Sequence, residues 1–220
     1  MAAFAKIHGG GSFTVRDNDL RAADLVIGLL FCNRPLSAQW VKSFQRLNYP
    51  VRVELAATQD EAYNPRNIAG HRNEIVQSAL LAGVKYVFFL DDDVEVQSNT
   101  LQVLIQTLSA APNTKVAGGI YYRRREPILP LVWDEKDLAI TEWDPNETFE
   151  CAAVGGGCML IDTSVFSKIP YPWFTSNARG DDDDIRFCRA VRKAGYRVLA
   201  NASIKTCHLE PYRGGGYTSK

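Results

Sequence analysis

Tyr86-Val87-Phe88-Phe89-Leu90-Asp91-Asp92-Asp93 is the stretch on which the fold of this 220-residue chain turns. Successive apolar and aromatic residues without a polar break fit a strand buried on both faces, as in a sheet covered by helices on either side. The run then ends in three carboxylates. Adjacent carboxylates repel, so keeping them all ionised at the end of a buried strand calls for a cation among them. Hard oxygen donors suit Mg²⁺ or Mn²⁺.

Outward from this stretch the chain alternates. Upstream, Leu25 to Phe31 reads as a buried strand, Ser37 to Leu47 as a helix with Trp40, Val41, Phe44 and Leu47 on one face, and Val51 to Ala56 as a second strand. A helix over Arg72 to Ala82 leads into the strand Val84 to Leu90, and Thr100 to Ala110 follows as a helix with Leu101, Leu104, Ile105 and Leu108 aligned. Such alternation predicts an α/β domain with a mostly parallel mixed sheet flanked by helices, and ligands then gather beyond the C-terminal strand ends. Further on, Lys115 to Tyr122, Cys158 to Asp162 and Tyr196 to Ala200 read as strands and Asp184 to Ala194 as a helix. Arg123 to Glu150 is a long irregular segment carrying Trp133, Trp143 and Arg123-Arg124-Arg125. The expected organisation is a leader over residues 1–23, one domain over 24–208, and a flexible glycine-rich tail over 209–220.

Composition narrows the classes of function. With 25 basic and 25 acidic residues the formal charge is zero, so no global field favours nucleic acid. No apolar run is long enough to span a membrane and no secretory pattern opens the chain, which predicts a cytoplasmic protein without an integral membrane segment. The five cysteines are dispersed and never form a Cys-x-x-Cys pair, as expected of reduced, buried thiols.

A second acidic run, Asp181-Asp182-Asp183-Asp184, follows Gly180 and opens the predicted Asp184–Ala194 helix. Here the chain resembles a known family. Phe88 to Asp93 is similar to the Asp-x-Asp motif of nucleotide-sugar glycosyltransferases with the GT-A fold, a Rossmann-like domain. Gly180 to Asp184 resembles the Gly-Glu-Asp-x-Asp motif of their inverting members, with Asp in place of Glu at position 181. Between the two, Gly155-Gly156-Gly157-Cys158-Met159-Leu160-Ile161 is similar to the glycine-led strand that lines the donor pocket. The resemblance covers Leu25 to His208.

It implies a transfer from a nucleoside diphosphate sugar, UDP-sugar first among donors, to a glycan or other hydroxyl acceptor. Asp93 is then the first metal ligand, with Asp91 on the metal or the ribose, Asp92 in the variable position, and His208 as a third ligand. An imidazole ligand favours Mn²⁺ over Mg²⁺. Asp182 takes the catalytic-base position and Asp181 the acceptor contact; a helix N-terminus helps keep such a base ionised. Asp184 is expected to cap the helix. Thr58 and Asp60 fall where the family contacts the nucleobase, Arg72 is expected to reach the diphosphate, and Gly156 lines the donor. Arg213 and Lys220 lie in a tail able to fold over the diphosphate and exclude water. Trp133 and Trp143 stack on an acceptor sugar or anchor the core, and the arginine run meets an anionic acceptor or is a solvated face. Two other readings stand beside this one: a nucleotidyltransferase, and a non-catalytic calcium- or sugar-binding module.

Overall fold

The computed structural model describes residues 3–7, 24–32, 35–49, 53–60, 68–176, 182–209 and 216–218, the backbone alone for 3–7, 32, 53–60 and 216–218. Its first half runs β1 (Ala3–Ile7), β2 (Leu25–Cys32), α1 (Ala38–Gln45), β3 (Val53–Asp60), α2 (Ile68–Leu81), β4 (Tyr86–Asp91), β5 (Val94–Glu95) and α3 (Thr100–Ala110). The second half runs β6 (Thr114–Ile120), β7 (Val132–Trp133), β8 (Thr148–Cys151), β9 (Ala153–Val154), β10 (Cys158–Asp162), α4 (Asp183–Lys193), β11 (Arg197–Lys205), β12 (Cys207–Leu209) and β13 (Gly216–Thr218). Eight strands form one sheet in the order β1-β3-β2-β4-β10-β6-β11-β8. Five of them, β3, β2, β4, β6 and β11, point one way, and β1, β10 and β8 run against them. The architecture is thus α/β with a mixed sheet of mostly parallel direction.

Alternation along β4 assigns its two faces. Val87 and Phe89 pack with Ile75 and Val76 of α2 and Phe187 and Val191 of α4. Tyr86, Phe88 and Leu90 point to the opposite layer, with Trp40 of α1 and Leu101, Leu104 and Leu108 of α3. Two helices therefore cover each face, which is why the strand reads as an unbroken apolar run. The first predicted helix, strands and α3 lie where their patterns place them, α3 at the same bounds.

Three departures matter. The leader contributes β1, which pairs antiparallel with β3 at the sheet edge. The tail contributes β13, which pairs with β12, while β12 pairs with β5 in a separate three-stranded sheet. Residues 3–7 and 216–218 thus each pair with a strand of the 24–208 region or its edge sheet. Finally, β10 inserts antiparallel between β4 and β6. Among the described residues no helix is long and apolar enough to cross a membrane.

Candidate functional site

The site gathers where β4 ends. Asp91 is the last residue of β4, and its carbonyl accepts a hydrogen bond from the Trp40 indole at 2.8 Å. The chain then turns and re-enters a ladder as β5, opposite β12, with His208 facing Val94 in register. Leu209 N donates to the Asp93 carbonyl at 2.7 Å. This small ladder carries a residue from the far end of the sequence to the strand-end carboxylates: His208 Nε2 stands 3.5 Å from Asp93 Oδ1. The other ring nitrogen, Nδ1, lies 2.7 Å from the Tyr122 carbonyl. A carbonyl can only accept, so Nδ1 carries the hydrogen and Nε2 is the ring nitrogen turned toward a carboxylate oxygen. A proton or a cation between the two would join them. The second Asp93 oxygen, Oδ2, is 2.9 Å from Arg124 Nη1.

A second cluster lies directly behind. Arg72, only 3% exposed, projects from α2 with its guanidinium 5.0 Å from the Phe89 ring centroid and 5.8 Å from that of Phe174. Nη1 donates to the Gly156 carbonyl at 3.1 Å, and Nη2 is 3.5 Å from Asp91 Oδ1. Nε lies 3.1 Å from Asp183 Oδ2, close enough for an ion pair although neither atom has an aligned hydrogen bond. The expectation that Arg72 reaches the diphosphate gives way to a different role, since its donors face inward to β4, α4 and the glycine loop. Gly156 is required by the same contact: a Cβ there would lie 2.1 Å from Arg72 Nη1. Next to it, Gly157 N donates to the buried Tyr121 hydroxyl at 2.8 Å. Gly156 therefore serves as the floor against which the arginine rests.

The acidic helix start divides its carboxylates among three directions. Asp182 adopts a left-handed backbone (φ 84°) and its side chain, 26% exposed, pairs with Arg186 Nε at 2.9 Å. Asp183 is buried and turned to Arg72. Asp184 Oδ2 accepts from Gly156 N at 2.9 Å, while Oδ1 accepts from Ile185 N at 2.8 Å. Asp184 does satisfy a first-turn amide, as expected, and it also ties α4 to the glycine loop. Asp182, expected at the base position, is directed to the Arg186 side of the helix. Asp183 and Asp184 are the members that join the cluster. Helical phase carried that signal, because Asp183, Phe187 and Val191 share the buried face at i, i+4 and i+8.

Burial governs the electrostatics. It pushes the Asp91 carboxyl up to about 6, with Arg72 pulling it down and Asp93 pushing it further up. It also raises Asp183, against the pull of Arg72 and with the push of Asp184. For Arg72, burial opposes the charge, but Asp183, Asp91 and Asp184 outweigh it and hold the guanidinium above its ordinary value. The Tyr121 hydroxyl is driven well above the usual range by burial and then by Asp91 and Asp184. An excess of carboxylate charge is thus held at the strand end, partly answered from below by one fixed arginine.

Asp93 Oδ1 and His208 Nε2 are the two donors nearest to metal-ligand spacing. Neighbouring ligands of an octahedral ion bound at about 2.1 Å sit roughly 3 Å apart, near the separation of Asp93 Oδ1 and His208 Nε2. The Nδ1–H to carbonyl bond is the arrangement that orients a metal-binding imidazole. Among the described residues no group of three or more His, Cys, Asp or Glu side chains is placed to hold a metal ion, so a cation at this pair would have two protein side-chain donors.

The remaining predicted residues fall as follows. Thr58 and Asp60 lie at the C-terminal end of β3, with Thr58 opposite Leu30 and Asp60 opposite Cys32; Leu30 in turn faces Asp91. Asp92, in the variable position of the motif, is buried. Asp181, Arg213 and Lys220 lie outside the described residues. Trp133 and Trp143 pack against the core, Trp143 stacked on Phe149 at 6.1 Å. Cys151, Cys158, Cys188 and Cys207 are free and buried. One residue escaped sequence reasoning: Asn73, whose amide accepts from Trp173 N and Phe174 N at 3.1 Å and donates to the Phe174 carbonyl at 2.8 Å. It fixes the segment that brings Phe174 against Arg72.

The fold defines an α/β domain of Rossmann-like class with its polar cluster at the strand ends. Among solved structures the chain is similar to A197 from STIV, with a TM-score of 0.60 and 19% sequence identity over 84% of this chain and 85% of that one. At that identity the likeness carries the fold alone. No family model and no curated protein sequence matches the chain.

Proposed function

We propose that this chain is a metal-dependent glycosyltransferase that moves a sugar from a nucleoside diphosphate sugar, UDP-sugar first among donors, to an acceptor hydroxyl with inversion at the anomeric carbon. The observation that supports it most is His208 Nε2 and Asp93 Oδ1, turned toward each other at 3.5 Å beyond the end of a buried strand. Asp93 and His208 are the residues that would hold Mn²⁺; Asp91, the other ligand the motif implies, is turned to Arg72. When bound there the ion supplies positive charge for the departing diphosphate.

The chain's own residues supply the rest. Thr58 and Asp91 both stand level with Leu30, on strands flanking β2, so their backbones are about 10 Å apart at the usual strand spacing. That span suits a nucleoside held at β3 with its diphosphate at β4. For proton removal from the acceptor, Asp184 is the better placed carboxylate. Its oxygens accept from Gly156 N and Ile185 N, and each keeps a lone pair for the acceptor hydroxyl. Asp182, the base by motif position, is held toward Arg186. Arg72 fixes the relative positions of Asp91, Asp183 and Gly156.

Calorimetric titration of UDP tests the reading. Binding is expected with Mn²⁺ present, and is expected to vanish in EDTA or in Asp93→Asn. Equal affinity in EDTA would remove the metal, and an anomeric NMR signal of retained configuration would remove direct displacement.

A further inference from the structure

Arg124 occupies one oxygen of the carboxylate that the proposed metal needs. Its Nη1 lies 2.9 Å from Asp93 Oδ2 and 3.4 Å from the Leu209 carbonyl, the residue after His208. The guanidinium is therefore seated between the strand-end turn and β12, the two segments that would supply the ligands. The two partners differ in exposure: the Asp93 side chain is 7% exposed and that of Arg124 is 32%. Asp93 is fixed by the ladder, since its carbonyl accepts from Leu209 N. Arg124 enters from the long segment after β6 and is the member with room to leave. A divalent ion on Oδ1 and a guanidinium on Oδ2 of one carboxylate would stand a few ångströms apart, where like charges repel strongly.

We infer that Arg124 is a built-in competitor of the metal: the resident cation on Asp93, displaced toward solvent when a divalent ion binds. This rests on the metal reading above, and deepens it by naming a residue that sets the affinity of the site. Arg125, its exposed neighbour in the run, makes the control for charge alone. Arg72 cannot play the part, being buried and held on three sides.

The test is Mn²⁺ binding without any substrate, read from loss of the free-ion electron paramagnetic resonance signal, with circular dichroism to verify folding. Arg124→Gln is expected to bind Mn²⁺ about fivefold more tightly than wild type, the scale of losing one partly exposed charge-assisted contact. Arg125→Gln is expected to match wild type, and Asp93→Asn to lose uptake. Equal affinity in wild type and Arg124→Gln overturns the competition while leaving the metal reading intact. An equal gain in Arg124→Gln and Arg125→Gln also overturns it, since general repulsion then accounts for the change. No uptake by either wild type or Arg124→Gln overturns the metal reading and this inference together.

Discussion

Gly156→Ala puts the most direct strain on the core of the site. The new methyl would lie 2.1 Å from Arg72 Nη1, 2.4 Å from Nη2 and 2.5 Å from Cζ, far inside van der Waals contact. The guanidinium has little space to retreat, with Phe89 and Phe174 against it and Asp91 and Asp183 on its nitrogens. Any movement that clears the methyl gives up the bond to the Gly156 carbonyl and loosens at least one ion pair. Losing a hydrogen bond to a charged group costs about 1.5–3 kcal/mol, and overpacking adds about 1–3 kcal/mol. We expect destabilisation of about 3–5 kcal/mol, comparable with breaking a buried ion pair. Urea unfolding at pH 7, followed by tryptophan fluorescence and circular dichroism, gives the value from midpoint and slope. Arg72→Met should cost about as much, since it leaves Asp183 and Asp91 without their cation. The double variant should cost clearly less than the sum, because the methyl no longer meets a guanidinium. A loss below 1 kcal/mol for Gly156→Ala, or strict additivity in the double variant, would refute the clamp.

Other outcomes follow from the same coordinates. Gly70→Ala, on the exposed side of α2 with nothing within 4 Å of its added Cβ, should stabilise by about 0.5–1 kcal/mol in the same urea assay. Asp91 is raised from 3.8 to about 6 in the fold, so its contribution to stability is present below pH 4 and lost as pH rises through about 6. At 1.36 kcal/mol per pK unit that is on the order of 3 kcal/mol, reduced by screening to about 1–2 kcal/mol; Asp91→Asn should flatten the decline of metal-free stability between pH 4 and 7 by that amount. In a transfer assay Asp184→Asn should lower turnover about 10²-fold or more, whereas Asp182→Asn should stay within about threefold; the reverse order would return the base to the motif position.

The layered sheet was legible because Tyr86 to Leu90 and Leu25 to Phe31 are apolar on both faces, and because Leu101, Leu104 and Leu108 repeat at helical spacing. The direction of β10 was not. Cys158 to Asp162 is buried on both faces just as β4 is, so its pattern fits a parallel or an antiparallel neighbour equally well. Direction is set by how the 37 residues between β6, ending at Ile120, and β10, beginning at Cys158, return to the sheet, which no local period records. The role of Arg72 was written in the sequence but read too lightly. Ala69, Arg72, Asn73, Val76 and Ala79 share the buried stripe of α2, and an arginine on such a stripe must have anionic partners within the fold. The joining of Arg124 to Asp93 had no such local signal, because it depends on the path of a long irregular segment.

The two arginines divide the electrostatic task at the strand end. Asp91, Asp93, Asp183 and Asp184 converge there, and without compensation their mutual repulsion would oppose the folded state. Arg72 answers Asp91 and Asp183 permanently: it is buried, ringed by aromatic faces, and unable to leave without exposing two carboxylates to an apolar interior. Arg124 answers Asp93 from a partly exposed position. The fixed cation keeps the acidic helix and the glycine loop registered against β4 whether or not a ligand is present. On the proposed reading Arg124 is the exchangeable cation, and Asp93 and His208 are the pair whose partner would change when a metal binds.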